Sequence, residues 1–238
     1  MVSSRLRLAL GALVVAMLAA GARQGRAAPE RPVTMAVMYF DYGGKDAALE
    51  PLRQGLAQML ISDLTSVDGV RVVERERLQD VLNEQHLAAS GKVDARTAAR
   101  LGKLLGARYL VLGSYFDALN SFRADARLVD VETGEVLKSI GATGKADDFL
   151  ALEQSLADGL RGALGTVAKP SGGATPLPAR APARPPRKLK TKTAVTYGRA
   201  LMAIDSGDRK NARALLHDVL QDQPDFALAS RDLDRLIR

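Results

Sequence analysis

Cysteine and tryptophan are absent from this chain of 238 residues, and histidine occurs only twice, as His86 and His217. Without cysteine there is no disulfide framework, thiol nucleophile, thiolate metal site or thiol to carry an N-terminal lipid. Two histidines give a multi-histidine metal centre or a histidine proton relay almost nothing to draw on. Acid is missing locally as well. Residues 1–27 hold four basic groups and residues 169–192 hold seven, with no Asp or Glu in either stretch. Setting those 11 aside from 34 leaves 23 basic groups against 27 acidic ones, so the remaining chain is mildly acidic despite a total of +7. The excess positive charge lies in a leader and a linker, and a nucleic-acid-binding face is therefore not expected.

The first 27 residues read as a secretory signal. Arg5 and Arg7 precede an apolar run at 8–20, and Gly25 and Ala27 suit cleavage after Ala27. The run is shorter than the ~20 apolar residues that a spanning helix needs. Export to the periplasm is the expectation.

Residues 28–168 alternate strand and helix patterns. The apolar runs 33–40 and 109–116 suit buried strands, and 70–73 suits a short one. Leu49, Leu52, Leu56, Met59, Leu60 and Leu64 share one helical face. Further helices are expected at 75–85, from Asp94 or Thr97 to Gly106, and after Asp147 or Asp148 with Leu152, Leu156, Leu160 and Leu164 inward. Residues 122–131 alternate strictly, with Arg123, Asp125 and Arg127 on the wet side, and the turn 132–135 leads into a strand at 136–140. The expected fold class is α/β, a mixed sheet covered by helices.

Residues 169–192 form a proline-rich basic linker holding six of the ten prolines, a soluble tether with a reach of ~70 Å. Contact of its basic groups with anionic lipid or with peptidoglycan carboxylates is a second reading. Residues 193–238 are a small all-α segment with breaks at Gly207-Asp208 and Pro224. Ala200, Gly207, Ala212, Leu216, Leu220 and Pro224 fall at offsets that resemble a tetratricopeptide (TPR) repeat.

No constellation for chemistry emerges. Residues 139–146 mimic a phosphate-binding loop, but Ser139 and Ala146 stand where glycine and Ser/Thr are needed. Glu74 and Glu76 lie among Arg71, Arg75 and Arg77, a setting that disfavours an acid–base pair, so a solvated strand-to-helix junction or interface edge is expected there. His86 and His217 suit helix ends or surface. No catalytic, cofactor-binding or metal-binding residue is assigned, and no enzymatic activity is expected.

Three stretches, 69–85 (GVRVVERERLQDVLNEQ), 98–115 (AARLGKLLGARYLVLGSY) and 126–139 (ARLVDVETGEVLKS), with Leu60-Ile61-Ser62-Asp63-Leu64, resemble the CsgG-like curli-assembly family. The resemblance implies a periplasmic α/β domain, no catalysis, and a place in rings or complexes at the outer membrane. The family's secretion pore carries long membrane hairpins, and this chain has no room for them. Only 11 residues separate Ser114 from Ala126, against about 9–11 for each of two spanning strands plus a turn. The expected role is a pore-less periplasmic scaffold or accessory protein with envelope-protein partners, self-association and peripheral outer-membrane contact. The alternative is a subunit of an oligomeric secretion channel.

Overall fold

A computed structural model describes residues 32–85, 95–118, 121–167 and 188–237. The signal segment, His86 and linker residues 169–187 lie outside them. Pro32–Arg238 forms one compact unit.

Strand β1 (Val33–Val37) lies between β3 (Val70–Val72) and β4 (Tyr109–Ala118), parallel to both, and β2 (Asp41–Tyr42) pairs farther along β4. Strands β4, β5 (Ser121–Asp130) and β6 (Val136–Lys145) then form an antiparallel meander, giving the order β3-β1-β4-β5-β6. The sheet is thus mixed, as the sequence pattern requires. The β4–β5 hairpin pairs as far as Ala118↔Ser121, so the connection is two residues long. In the expected turn at 132–135, Gly134 adopts φ +75° and Asp130 accepts from the amides of Glu132 and Thr133; that φ favours glycine.

Strand alternation sorts the core. Met35, Val37, Tyr109, Val111 and Tyr115 face one side together with Phe122, Ala124, Ala126 and Leu128. Helices α1 (Leu52–Leu64) and α4 (Phe149–Val167) cover that side. Ala36, Met38, Leu110 and Val129 face the other side, under α2 (Arg75–Glu84) and α3 (Ala95–Leu104). The second cover reaches Val129 but stops short of β6 and the first half of β5, where Arg123, Arg127, Ser139, Gly141 and Thr143 are exposed.

Two boundaries differ from the sequence pattern. Leu49 belongs to a separate 3-10 turn (Ala47–Leu49), because the chain bends at Pro51 before α1 begins. Strand β6 continues past Ile140 to Lys145, which pairs with Ser121. Residues 139–146 are therefore mostly antiparallel strand, and no phosphate loop forms. Asp148 caps α4 through the Ala151 amide at 3.3 Å.

The C-terminal segment is three helices, α5 (Thr191–Asp205), α6 (Arg209–Asp222) and α7 (Ala227–Ile237). Their apolar faces share the core under α1 and α4: Ala194, Tyr197, Ala200, Leu201, Ala212 and Leu216 are all fully buried with it. The approach of α5 to α1 depends on two glycines. A Cβ on Gly198 would stand 1.9 Å from the Pro51 carbonyl oxygen, and one on Gly55 would stand 3.4 Å from that of Ala194. Ahead of α5, Leu189 is buried and its carbonyl accepts from the Phe149 amide at 3.0 Å.

Candidate functional site

The seam between the α/β layer and the C-terminal helices holds both a clasp and a groove. The clasp is centred on Arg75, the first residue of α2, whose side chain is 1% exposed. Its Nη1 donates to Oδ1 of Asp205, the last residue of α5, at 2.5 Å, and more weakly to the Tyr39 hydroxyl at 3.4 Å. Tyr39 donates in turn to Gln79 at 2.8 Å. Glu76 lies 3.6 Å from Arg75 and 3.3 Å from Arg235 of α7. A second buried pair stands in the C-terminal helices, where the Tyr197 hydroxyl donates to Asp232 Oδ2 at 2.7 Å. Burial raises the carboxyl pKa values of Asp205 and Asp232, opposed by Arg75 at the first and by the Tyr197 hydrogen bond at the second. The Tyr39, Tyr115 and Tyr197 hydroxyls are pushed above the ordinary phenol range by burial, so none serves as a base near neutrality.

The groove, of about 150 Å³, lies between α1, α4 and the α6–α7 junction. Met59, Leu150, Leu189, Phe226 and Leu228 supply its apolar lining, with Asp63, Glu153, Lys188, Asp225 and Arg231 among its polar groups. Phe226 is held by an edge-to-face contact with Tyr197, ring centres 4.9 Å apart. Asp63 is held by Arg161 at 3.3 Å. An apolar lining with a charged rim suits a protein or peptide segment.

The charged stretch 71–77 divides. Arg71, Glu74 and Arg77 are exposed, Glu76 is half-buried, and Arg75 is wholly buried. The stretch does form the strand-to-helix junction, but it is not solvated throughout: Arg75 is buried against a partner 130 residues away, which local pattern does not reveal. His217 is exposed on α6. Among the described residues no three His, Asp or Glu side chains converge as a metal site would require. No helix of the described residues is long and apolar enough to cross a membrane. The groove went unanticipated because its residues come from four separate stretches, with no spacing signature.

Residues 31–118 match the family model of the curli production assembly/transport component CsgG. A protein of Rhizobium meliloti (strain 1021) named "Putative adenylate cyclase 3" is 27% identical over 209 residues, covering 86% of this chain and 32% of that protein. The chain thus spans about a third of the length of that relative. Among solved structures, the LpoB C-terminal domain from Salmonella enterica aligns with a TM-score of 0.40 at 18% identity, over 56% of this chain and 93% of its own. A PelC dodecamer from Paraburkholderia phytofirmans aligns at 0.32 and 17%, over 58% and 89%.

Proposed function

We propose that this chain, CsgG-like over residues 31–118, is a non-enzymatic periplasmic scaffold or accessory protein of an outer-membrane assembly. Its C-terminal helices act as a TPR-like adaptor that grips an envelope protein. The observation that carries this reading is the groove, which neither the α/β layer nor the helical segment forms alone. Seating a partner across that seam would make binding sensitive to how the two modules are joined. The export pattern at residues 1–27 and the family match over 31–118 support the compartment. The cyclase named for the rhizobial relative belongs to a protein about three times as long, and its activity is not carried over to this chain.

Fractionation combined with pulldown tests the proposal. The tagged protein is expected in the periplasmic fraction, or on membranes and released by alkaline wash. Ala227→Trp, at an exposed position lining the groove, is expected to keep the fold and lose the partner recovered from envelope extract. Recovery in the cytosol, or an unchanged set of bound proteins with Ala227→Trp, would refute it. Incubation with ATP and magnesium is expected to yield no cyclic nucleotide. Ion conductance in planar bilayers would favour the channel reading instead.

A further inference from the structure

The charged groups around the groove are not equally available to a partner. Asp63 is half-buried and accepts from Arg161 Nη2 at 3.3 Å. Glu153 is only 1% exposed and offers a partner almost no surface. Asp225 is exposed but accepts from the Gln223 side-chain amide at 2.5 Å. Lys188 and Arg231 stand apart. Both are exposed, and among the described residues neither has a hydrogen bond or ion pair. Their neighbours are engaged: Lys190 pairs with Asp222 at 3.3 Å, and Arg235 with Glu76 at 3.3 Å. The two unpaired cations also come from different walls of the groove, Lys188 from the stretch leading into α5 and Arg231 from α7.

On the reading that an envelope protein seats in this groove, we propose that the segment it inserts is acidic. One bulky apolar side chain enters the cavity, and carboxylates flanking it meet Lys188 and Arg231. The volume of about 150 Å³ suits a single ring-sized group, and Met59, Leu150, Leu189, Phe226 and Leu228 supply its apolar surroundings. Charge selects what lies on either side of that group. A basic segment would set cation against cation at both walls, with only Asp225 exposed to meet it. Residues 169–192 contain no Asp or Glu, so the chain's own linker has no carboxylate to offer the two cations. Rim charges of this kind govern partner choice and association rate more than affinity. Burial of the apolar group therefore supplies the grip, and Lys188 and Arg231 reject partners of the wrong sign.

Fluorescence anisotropy of three labelled peptides on the purified protein is the test. Each has a Leu-Phe-Leu centre, flanked on both sides by glutamates in the first, glutamines in the second and lysines in the third. The wild type is expected to bind the glutamate peptide most tightly and the lysine peptide least. Lys188→Gln and Arg231→Gln should each weaken the glutamate peptide by up to about fivefold, and added salt should narrow its lead over the glutamine peptide. The double variant Lys188→Glu with Arg231→Glu is expected to prefer the lysine peptide. Its circular dichroism spectrum should be unchanged, since neither side chain has a partner to lose. Lys210→Glu, exposed on α6 and outside the groove lining, should keep the wild-type order. Equal affinity for the three peptides, no binding of any, or an unreversed order in the double variant would each overturn the proposal. So would phosphatidylglycerol vesicles that hold the protein through the same two cations and displace the glutamate peptide, which would assign them to a membrane surface. Failure of the groove itself reads differently. If Ala227→Trp leaves the set of bound envelope proteins intact, the groove is not the site. If Ala227→Trp loses that set and the double variant keeps it, the groove stands and the acidic partner falls.

Discussion

At the scale of single residues, Arg75 and Asp205 hold the seam shut. A buried ion pair is poor evidence of net stability, but removing one member leaves the other charge stranded. Arg75→Met is therefore expected to cost about 3 kcal/mol in urea unfolding. Adding Asp205→Leu should recover much of that loss, and no recovery would mean that the pair acts through packing alone. The carboxyls also set a pH dependence. Burial raises the pKa of Asp205 and of Asp232 above the ordinary carboxylate value. The folded state therefore binds their protons more readily than the unfolded chain does. Their contribution is fully present below the ordinary carboxylate pKa and drains away as pH rises through the raised values. Across that window the urea midpoint of Asp205→Asn should fall less steeply with pH than that of the wild type. Parallel slopes would show that Asp205 titrates normally. None of this was legible in the stretch 71–77, where Arg75 looks like its exposed neighbours Arg71 and Arg77. What separates it is a carboxylate on a different helix, and local spacing carries no information about that.

At the scale of elements, the sequence was informative wherever one face of a strand or helix meets the core. The alternation of Phe122, Ala124, Ala126 and Leu128 located β5, and the leucines of α4 located that helix. It was misleading where glycine replaced the apolar signal. Ile140 ends the apolar run of β6, yet the strand continues through Gly141 and Gly144 because β5 still offers partners and Leu152 needs the space over Gly144. Glycines with the same helical backbone thus have opposite uses. Gly198→Ala would drive a methyl into the Pro51 carbonyl and is expected to cost about 2 kcal/mol or more through displaced packing. Gly162→Ala meets open space and should stabilise α4 by up to about 1 kcal/mol. Thermal unfolding of the two variants side by side checks both signs. Destabilisation by Gly162→Ala would mean that α4 is seated differently.

At the scale of the whole molecule, the composition break at 169–192 divides the sequence more sharply than it divides the structure. Both sides of the linker contribute to one core: Leu189, Tyr197 and Leu216 are buried in the same cluster as Leu56 and Leu160. Calorimetry is accordingly expected to show a single cooperative transition for the chain. Deleting residues 188–238 should lower the melting temperature and promote aggregation, because it uncovers apolar surface on α1 and α4. Two separated transitions would indicate independent domains. Such a merger cannot be read from periodicity, which reports that a helix has an apolar face but not which neighbour receives it. The return of the chain to its own starting helix also changes what the proline-rich segment can do. Helix α4 ends at Val167, and Leu189 is bonded back at Phe149 where that helix begins. The intervening stretch therefore has to bridge only about 28 Å, well within its contour length. With both ends fixed on one body, the segment does not let the C-terminal helices part from the α/β layer. A protease nick within it would leave two fragments that elute together as though uncut.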